Sequence, residues 1–591
     1  MYLEHIDSPA DVKKLHGSEL ESLCAELRSA LIEELSVRGG HVGPNLGMVE
    51  ATTALHYVFD SPKDKIVYDV SHQSYAHKML TGRKAAFTDS AKYGSVTGFS
   101  NPKESEHDFF TIGHTSTSVS LASGLAKARD LKNERYNVIA VIGDGSLSGG
   151  EAFEGLDYAA ENGTNLIVVV NDNEMSIAEN HGGLYANLRL LRDTNGAAAC
   201  NFFKAMGFEY IYVRDGNDVH ALIGAFRAVK DCTRPVVVHI HTVKGKGFAP
   251  AEADKETWHY GAPFDKNTGM PKRIAQANGS AVREKDYAAL TAEYLLAEMK
   301  KDPTVAAITS GTPTVIGFTE EKRRAAGKQF IDVGIAEEHA VALAAGIAKN
   351  GGKAVYGVYG TFIQRAYDQL SQDLCIDRNP ATVLVFWASV WGMNDVTHLG
   401  LFDIALMGSI PNLIYLAPVS EEEYFAMLRW SMRQTEHPVA IRVPAGPVVS
   451  TGIEDTTDYS VLNAYQVTRA GETVAILALG SMYGTGEKTA ELLAQRGIHA
   501  TLINPKFITG LDTTLLESLK KEHSVTVTIE DGVKEGGFGE KIASFYGASG
   551  MKVLNYGVAK SFPDRYDPAE LLKENRMMPA QIAEDVLNVL Q

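Results

Sequence analysis

The chain has 591 residues, of which 45% are hydrophobic and 22% charged, so it is long enough for two or three domains with separate cores. Its 73 acidic and 56 basic residues give a formal net charge of -17, which disfavours nucleic acid and anionic membranes as partners because both repel an acidic surface. The four cysteines form no CxxC pair, the apolar runs are too short to span a bilayer, and the N-terminal sequence lacks the pattern of a signal peptide. We therefore expect a cytoplasmic protein.

Short apolar runs alternate with longer helical stretches, a pattern typical of parallel α/β layers. The first candidate strands are nearly continuous apolar runs, as expected for strands buried on both faces: 65–70, 137–145, 165–173 and 235–242. A second group lies at 305–310, 329–335, 354–360, 381–387, 412–418 and 439–444, and a third at 474–479, 500–505, 525–531 and 553–558. The sequence therefore predicts three α/β domains, with bounds at 1–255, 285–447 and 448–591 and a linker at 256–284.

Polar residues follow two neighbouring candidate strands. Gly143-Asp144-Gly145 ends the second strand, and Asn171-Asp172-Asn173 ends the third. The 25 residues between these motifs are enough for one helix and its return, which places Asp144 and Asn173 side by side at the sheet edge. Such oxygen ligands suit a hard divalent cation, and a following helix N-terminus favours a diphosphate. A turn and an ordinary helix cap would explain either motif alone.

A glutamate and a set of histidines are the candidate acid–base groups. Glu337 follows the apolar run 329–335, where a buried carboxyl with a raised pKa can exchange protons, although a helix cap is the commoner role of such a Glu. Any one histidine is more often a core or surface residue. Six of them, however, occur beside glycines or in short polar motifs, which favours a site that shuttles protons and binds an anion: His41, His72, His77, His114, His259 and His398.

Nine motifs occur in the order found in 1-deoxy-D-xylulose-5-phosphate synthases: GGHVGPNLG, DVSHQSYAHKMLTGR, TIGHTSTSVS, VIGDGSLSGGEAFE, NDNEMSI, KGKGFAPAE, DVGIAEEHA, YGTFIQRAYDQ and EGGFGE. The chain resembles this family from the N-terminus to the last domain, and it resembles a plain transketolase less closely. The resemblance implies three doubly wound α/β domains of the transketolase type, packed as a homodimer. They would be a diphosphate-binding domain, a pyrimidine-binding domain and a C-terminal domain.

The resemblance also implies thiamine diphosphate and Mg²⁺ as cofactors. The metal ligands would be Asp144, Asn173 and the backbone carbonyl of Met175, and Glu337 would lie beside the aminopyrimidine ring. Residues that match the family's cofactor contacts are His72, Gly113, His114, Thr115, Gly145, Ser146, Asn173, Phe248, Glu337 and Phe362. Those that match its catalytic or substrate-lining residues are Glu337, His41, His259, His398 and Tyr359.

The implied reaction is the decarboxylation of pyruvate and transfer of its two-carbon unit to D-glyceraldehyde 3-phosphate. The product, 1-deoxy-D-xylulose 5-phosphate, is a precursor of isoprenoids, thiamine and pyridoxal. Two alternatives stay open: a related pyruvate-dependent carboligase with a different, unphosphorylated aldehyde, and a non-catalytic thiamine-diphosphate-binding paralogue.

The sequence departs from the family at three places. Trp387 and Ala445 stand where the family has two arginines that bind the acceptor phosphate, and Arg442 or Arg365 would have to replace them. Phe248 stands at a position that is usually Tyr. The family has a much longer segment in place of residues 178–201, which folds over the active site.

Overall fold

The structure, a computed structural model, describes residues 1–272 and 286–591. The chain divides into two compact units. The first lies within Met1–Ser280 and includes Gly334–Ala336, and the second lies within Ala281–Val333 and Glu337–Gln591. Part of the predicted linker, residues 273–284, falls outside the described residues. Its remaining part packs on the first unit, where Phe264 N donates a hydrogen bond to Ser36 O (3.0 Å).

The first unit contains a five-stranded sheet in the order β1-β2-β3-β5-β4, with all neighbouring strands parallel. Its strands are β1 (Lys65–Tyr68), β2 (Val138–Gly143), β3 (Ile167–Asp172), β4 (Glu209–Val213) and β5 (Val236–His241). Its helices are α1 (Pro9–Val12), α2 (Ser18–Arg38), α3 (Val42–Gly47), α4 (Val49–Val58), α5 (Tyr75–Lys78), α6 (Ala85–Thr88), α7 (Ser118–Leu131), α8 (Gly150–Asn162), α9 (Gly183–Asp193), α10 (Phe202–Ala205), α11 (Val219–Val229) and α12 (Ala249–Ala253). Hydrophobic cores cover both faces of the central strands, which is why these strands read as continuous apolar runs.

The second unit contains two sheets. The six-stranded sheet, in the order β10-β11-β9-β8-β6-β7, is made of β6 (Val305–Thr309), β7 (Phe330–Asp332), β8 (Lys353–Tyr359), β9 (Thr382–Phe386), β10 (Ile414–Leu416) and β11 (Val439–Arg442). The five-stranded sheet, in the order β12-β14-β13-β15-β16, is made of β12 (Gln466–Arg469), β13 (Thr473–Ala478), β14 (Thr501–Asn504), β15 (His523–Val533) and β16 (Lys552–Val558). Only the edge strand β12 pairs antiparallel among the described strands.

Helices accompany both sheets of the second unit. Those in the chain segment of the six-stranded sheet are α13 (Tyr287–Lys301), α14 (Glu320–Ala326), α15 (Glu337–Lys349), α16 (Tyr367–Gln369), α17 (Asp403–Met407) and α18 (Glu421–Arg433). Those of the last sheet are α19 (Tyr483–Ala494), α20 (Thr513–Leu519), α21 (Phe538–Tyr546), α22 (Pro568–Glu574) and α23 (Pro579–Leu590). Within the described ranges, no helix combines the length and the apolar character that crossing a lipid bilayer requires.

The three sheets, each accompanied by helices, confirm the predicted fold class of three α/β domains. Every predicted strand overlaps an observed one, and two observed strands, β4 and β12, were not predicted. Both lie at a sheet edge. The exposed strand β12 lacks the apolar run by which the other strands were recognised, whereas β4 contains the short apolar run 210–213, which was overlooked. The bounds assigned to the domains stay predictions.

A buried arginine joins the two sheets of the second unit. Arg442, at the end of β11, is 4% exposed. Its Nε donates to Asp403 Oδ2 (2.8 Å) at the start of α17, and its Nη1 donates to Asp531 in β15. The same two carboxylates accept hydrogen bonds from Tyr415 and Ser389. This arrangement argues for a structural role, and a contact of Arg442 with substrate stays a prediction.

Replacing Arg442 by Met should destabilise the second unit, because Asp403 and Asp531 would be left buried without their counter-charge. Breaking such a pair costs about 3–5 kcal/mol, to be measured as a shift of the chemical-denaturation midpoint. The exposed Arg433, in the last turn of α18, provides the control variant Arg433→Met. A loss of under about 1 kcal/mol in Arg442→Met would contradict a structural role.

Candidate active site

The predicted metal ligands meet at one edge of the first sheet. Gly143 pairs with Asn171 across β2 and β3, and Asp144 N donates to Asn171 O (3.0 Å). In the turn that follows β3, Met175 N donates to Asn173 Oδ1 (3.2 Å). The parallel pairing thus places a carboxylate, an amide and a peptide carbonyl at neighbouring strand ends.

Burial makes Asp144 the group that most requires a cation. Its side chain is 1% exposed, and burial, followed by the negative charge of Asp172, raises its pKa well above the usual range. A divalent cation would favour the ionised form of the carboxyl. Among the described residues, no cluster of three or more His, Cys, Asp or Glu side chains could hold a metal ion. A cation at this edge therefore needs the mixed oxygen set, completed by ligand phosphates.

Gly145 packs closely against the loop that contains Ser176. A Cβ on Gly145 would lie 2.7 Å from Ser176 Cβ, a distance that excludes any larger residue without movement of the Ser176 loop. Gly145 and Ser146 begin a short 3-10 turn, and α8 follows at Gly150. This edge therefore fits a diphosphate bound through a cation and the backbone.

Asp69 ties the predicted loop Gly113–Thr115 to the same edge. Its buried carboxylate accepts hydrogen bonds from Ser116 N (2.8 Å) and Ser118 N (2.9 Å). Ser116 Oγ in turn donates to Ser146 O (2.8 Å). Sequence analysis missed Asp69, although it follows β1 as Asp144 follows β2, and that shared position was the available signal.

Three of the predicted histidines form one cluster. The ring centroids of His41 and His72 are 4.8 Å apart, those of His72 and His259 are 5.1 Å apart, and those of His41 and His259 are 5.8 Å apart. Buried Asn45, which sequence analysis missed, holds two of them: its Nδ2 donates to His41 O and His72 O (both 2.7 Å). A fourth, His77, instead hydrogen-bonds His56 and Asp108 in a buried network.

Lys244 links this cluster electrostatically to the metal edge. The side chain is buried, and Nζ donates to Ser176 O (2.6 Å). Burial lowers the pKa of Lys244 to about 7, although the charge of Asp144 acts in the opposite direction. Burial and then the charge of Lys244 lower the pKa of His259 well below its usual value. Near neutral pH, His259 is therefore a neutral imidazole, and its Nδ1 has no hydrogen-bond partner among the described residues.

The second unit presents Glu337 at the first position of α15. The side chain is 2% exposed, and Oε2 has no hydrogen-bond partner in the described part of the chain. Burial raises its pKa to about 7, against the effect of Arg365, whose Nη1 lies 3.8 Å from Oε2. A buried carboxyl that accepts or releases a proton near neutrality fits the group required beside an aminopyrimidine ring.

Three further predicted residues lie together in the second unit. The ring centroids of Tyr359 and Phe362 are 5.5 Å apart, and those of Phe362 and His398 are 5.7 Å apart. Burial lowers the pKa of His398 to about 4, and its Nδ1 lies 2.7 Å from Thr397 Oγ1. After β9, Trp387 is 46% exposed and has a φ of 58°. Tyr359, Phe362 and His398 therefore form one aromatic group, and Trp387 is an exposed indole on the loop after β9.

Phe248 lies in an aromatic cluster of the first unit. It is 6% exposed and packs in an aromatic core cluster, with ring centroids 5.0 Å from Trp258 and 5.4 Å from Phe264. This packing supports a structural role, and a direct contact with the cofactor stays a prediction.

Comparisons with known proteins agree along the whole chain. The profile of 1-deoxy-D-xylulose-5-phosphate synthase matches residues 3–199 and 191–242, that of the transketolase pyrimidine-binding domain matches 283–448, and that of the transketolase C-terminal domain matches 464–582. Enzymes of this type act on small molecules and use thiamine diphosphate with a divalent metal. Among solved structures, the transketolase of Campylobacter jejuni is 16% identical, with a TM-score of 0.45, covering 97% of this chain and 100% of that one.

Curated relatives are similar over nearly their full length. The 1-deoxy-D-xylulose-5-phosphate synthase of Symbiobacterium thermophilum is 38% identical and covers 99% of this chain and 94% of its own. That of Thermomicrobium roseum is 39% identical and covers 100% and 98%. This chain therefore belongs to the 1-deoxy-D-xylulose-5-phosphate synthase family.

Proposed function

We propose that the protein uses thiamine diphosphate and Mg²⁺ to make 1-deoxy-D-xylulose 5-phosphate from pyruvate and D-glyceraldehyde 3-phosphate. The observation that carries this proposal is Glu337, a buried carboxyl with a pKa of about 7 and with Oε2 lacking a hydrogen-bond partner among the described residues. A buried acid left in that state needs a ligand or a chemical task to explain it. The family's reaction supplies both.

In this proposal the first unit binds the charged end of the cofactor. Asp144, Asn173 and the Met175 carbonyl bind Mg²⁺, which prefers oxygen ligands and keeps part of its shell for phosphate. The backbone of Gly145 and Ser146 would hold the diphosphate. The loop of Gly113, His114 and Thr115, held by Asp69, and the side chain of His72 border it.

The remaining residues handle protons and substrate. The bound cofactor supplies the electron sink that allows pyruvate to lose CO₂ and its two-carbon unit to add to an aldehyde. Glu337 would hold or release a proton beside the aminopyrimidine ring of the bound cofactor, and Phe362 would lie against that ring. His41 and His259 would donate hydrogen bonds to the reacting oxygens and accept hydrogen bonds from them. His259 is buried, and its lowered pKa keeps it neutral.

The acceptor end is proposed to involve Tyr359 and His398, and its phosphate contact differs from that of the family. Arg442 is engaged by Asp403 and Asp531, and Trp387 is exposed where the family has Arg. We expect binding of the acceptor phosphate to be weak in consequence. An unphosphorylated aldehyde is therefore the alternative acceptor.

The proposed reaction is tested by incubating the protein with pyruvate, D-glyceraldehyde 3-phosphate, thiamine diphosphate and Mg²⁺, and by identifying the product with NMR and mass spectrometry. CO₂ release without 1-deoxy-D-xylulose 5-phosphate would favour a carboligase with another acceptor. Absence of CO₂ release from a cofactor-loaded protein would favour a non-catalytic paralogue.

We also propose that the protein is a cytoplasmic homodimer. Light scattering, which measures the mass of the particle in solution, tests the dimer.

Asp144→Ala should abolish Mg²⁺-dependent binding of thiamine diphosphate, because an amide and a carbonyl alone cannot offset the cation's charge. Isothermal calorimetry provides the measurement. The exposed Asp157 on α8 gives the control variant Asp157→Ala, which should bind normally. Unchanged affinity in Asp144→Ala would refute the metal assignment.

Glu337→Gln should keep cofactor affinity and lose activity by about 100-fold or more, the contribution of a well-placed acid–base group. The decisive measurement is hydrogen–deuterium exchange at the thiazolium C2 position of the bound cofactor, followed by NMR. The neighbouring half-buried Glu338 gives the control Glu338→Gln. Exchange at the wild-type rate in Glu337→Gln would rule out the assigned role.

Trp387→Arg should raise kcat/KM for D-glyceraldehyde 3-phosphate and leave that for D-glyceraldehyde unchanged. A restored charge-assisted contact is worth about 1.5–3 kcal/mol, which corresponds to about 10- to 100-fold in affinity. Trp391, on the same loop and 37% exposed, supplies the control Trp391→Arg. Equal changes with both aldehydes would show that position 387 does not face the phosphate.

A further inference from the structure

The short segment 178–201 makes direct contacts with the proposed metal site. Asn180 Nδ2 donates to Asp144 Oδ2 (2.7 Å). Tyr185, in the first turn of α9, donates from its hydroxyl to Asp144 O (3.2 Å) or Gly145 O (3.3 Å). The segment that is shortened relative to the family therefore packs on the residues assigned to the cation and the diphosphate.

The strongest of these contacts comes from the end of α9. Arg192 Nη1 donates to Asp172 Oδ2 (2.5 Å), and Nη2 donates to Glu174 Oε2 (3.3 Å). Asp172 and Glu174 are the two chain neighbours of Asn173, so one guanidinium holds the residues on both sides of a proposed metal ligand. Glu174 has a φ of 68°, a left-handed conformation that is unfavourable for Glu and needs such support.

The partners of Asp172 show that this contact is ordered and buried. Asp172 is fully buried and also accepts a hydrogen bond from His239 Nε2 (2.9 Å), whose Nδ1 lies 2.8 Å from Tyr210 Oη. Burial would raise the pKa of Asp172, but His239 and Arg192 outweigh it and lower that pKa. The Arg192 side chain is only 12% exposed. Arg192 is thus part of a fixed network and differs from a solvated surface charge.

We propose that Arg192 is a positioning residue, which holds Asp172 and Glu174 so that Asn173 and the Met175 carbonyl are in place before the cation binds. The inference rests on the proposed function, since it presupposes that Asn173 and Met175 bind the metal. A ligand loop that is already ordered loses less conformational entropy on binding, and partners of metal-binding residues contribute about 10- to 100-fold to metal affinity. The short segment would then order the metal loop permanently.

A purely electrostatic role predicts a different outcome from positioning. If the positive charge alone mattered, Lys at position 192 would restore full cofactor affinity. If the two-armed contact matters, Lys can reach only one carboxylate well and restores affinity only in part. The variants Arg192→Met and Arg192→Lys therefore separate the two roles. Arg192 borders an open cavity of about 720 Å³, so a shorter side chain leaves space accessible to solvent and no sealed void.

The matched control lies on the same helix. Arg189 is three residues earlier on α9, and its ion pair with Asp193 (3.7 Å) is formed between two exposed side chains. Arg189→Met removes the same charge from the same helix without touching Asp172 or Glu174. It should leave cofactor affinity unchanged.

The test measures the dissociation constant of thiamine diphosphate at saturating Mg²⁺ by calorimetry, together with hydrogen exchange of peptides covering 172–193 in the cofactor-free enzyme. We expect about 10- to 100-fold weaker binding in Arg192→Met, an intermediate value in Arg192→Lys, and kcat within about twofold at saturating cofactor. Exchange in 172–180 should be faster in both Arg192 variants and unchanged in Arg189→Met.

Either of two results would overturn the proposal: wild-type affinity in a folded Arg192→Met variant, or full affinity in Arg192→Lys with unchanged exchange. If Arg192→Met does not fold, Arg192→Lys alone decides through the same two measurements. If the wild-type enzyme itself binds no thiamine diphosphate, the proposed function fails, and the exchange data still judge whether Arg192 orders the loop.

Discussion

Two buried carboxylates, Asp144 and Asp172, end adjacent strands of the first sheet, and the organisation of that sheet edge depends on how their burial is compensated. Burial disfavours the charged form of each carboxyl unless a partner offsets it, and the negative charge of Asp172 adds to the effect of burial at Asp144. The two carboxylates have different partners and opposite pKa shifts. Asp172 receives His239 and Arg192, and its pKa is lowered, whereas Asp144 has the amide of Asn180 as its side-chain partner, and its pKa is raised. Asp144 is thus the carboxylate that gains most from a cation.

Asp69 and Asn45 in the first unit and Glu337 in the second unit show two different ways of burying a polar group. In the first unit, Asp69 and Asn45 satisfy backbone groups of the loops around them, so those loops are fixed by the fold. In the second unit, Glu337 Oε2 has no hydrogen-bond partner among the described residues, and burial raises the pKa of Glu337 to about 7. Loops fixed by buried hydrogen bonds, such as those around Asp69 and Asn45, are suited to binding a ligand in one position. A buried carboxyl with a raised pKa, such as Glu337, is suited to exchanging a proton with the ligand.

The sequence was sufficient for the strands and for the residues that follow them, because apolar runs and strand-end polar motifs are local signals. β12 was missed because Gln466–Arg469 is an exposed edge strand without an apolar run. Asn45 and Arg192 were missed for another reason. Each acts through partners brought near only by the fold: Asn45 contacts His72, 27 residues away, and Arg192 contacts Asp172, 20 residues away. No local pattern distinguishes such residues from ordinary polar side chains.

Trp387, at the acceptor end of the proposed site, is one of the positions at which the sequence is predicted to depart from the family, and the structure supplies a physical reason why this position tolerates change. The loop after β9 is anchored by Ser389, whose hydroxyl donates to buried Asp531, and Asp531 is in turn held by Arg442. Trp387, two residues before this anchor, is 46% exposed. The side chain of Trp387 can therefore be replaced without disturbing the buried ion network. The loop would keep its conformation, and only the side chain that faces an aldehyde substrate would change. Around Asp144 the reverse holds, because the carboxylate is buried against Asn180 and Asp172, and any substitution alters the charge balance on which the metal edge depends.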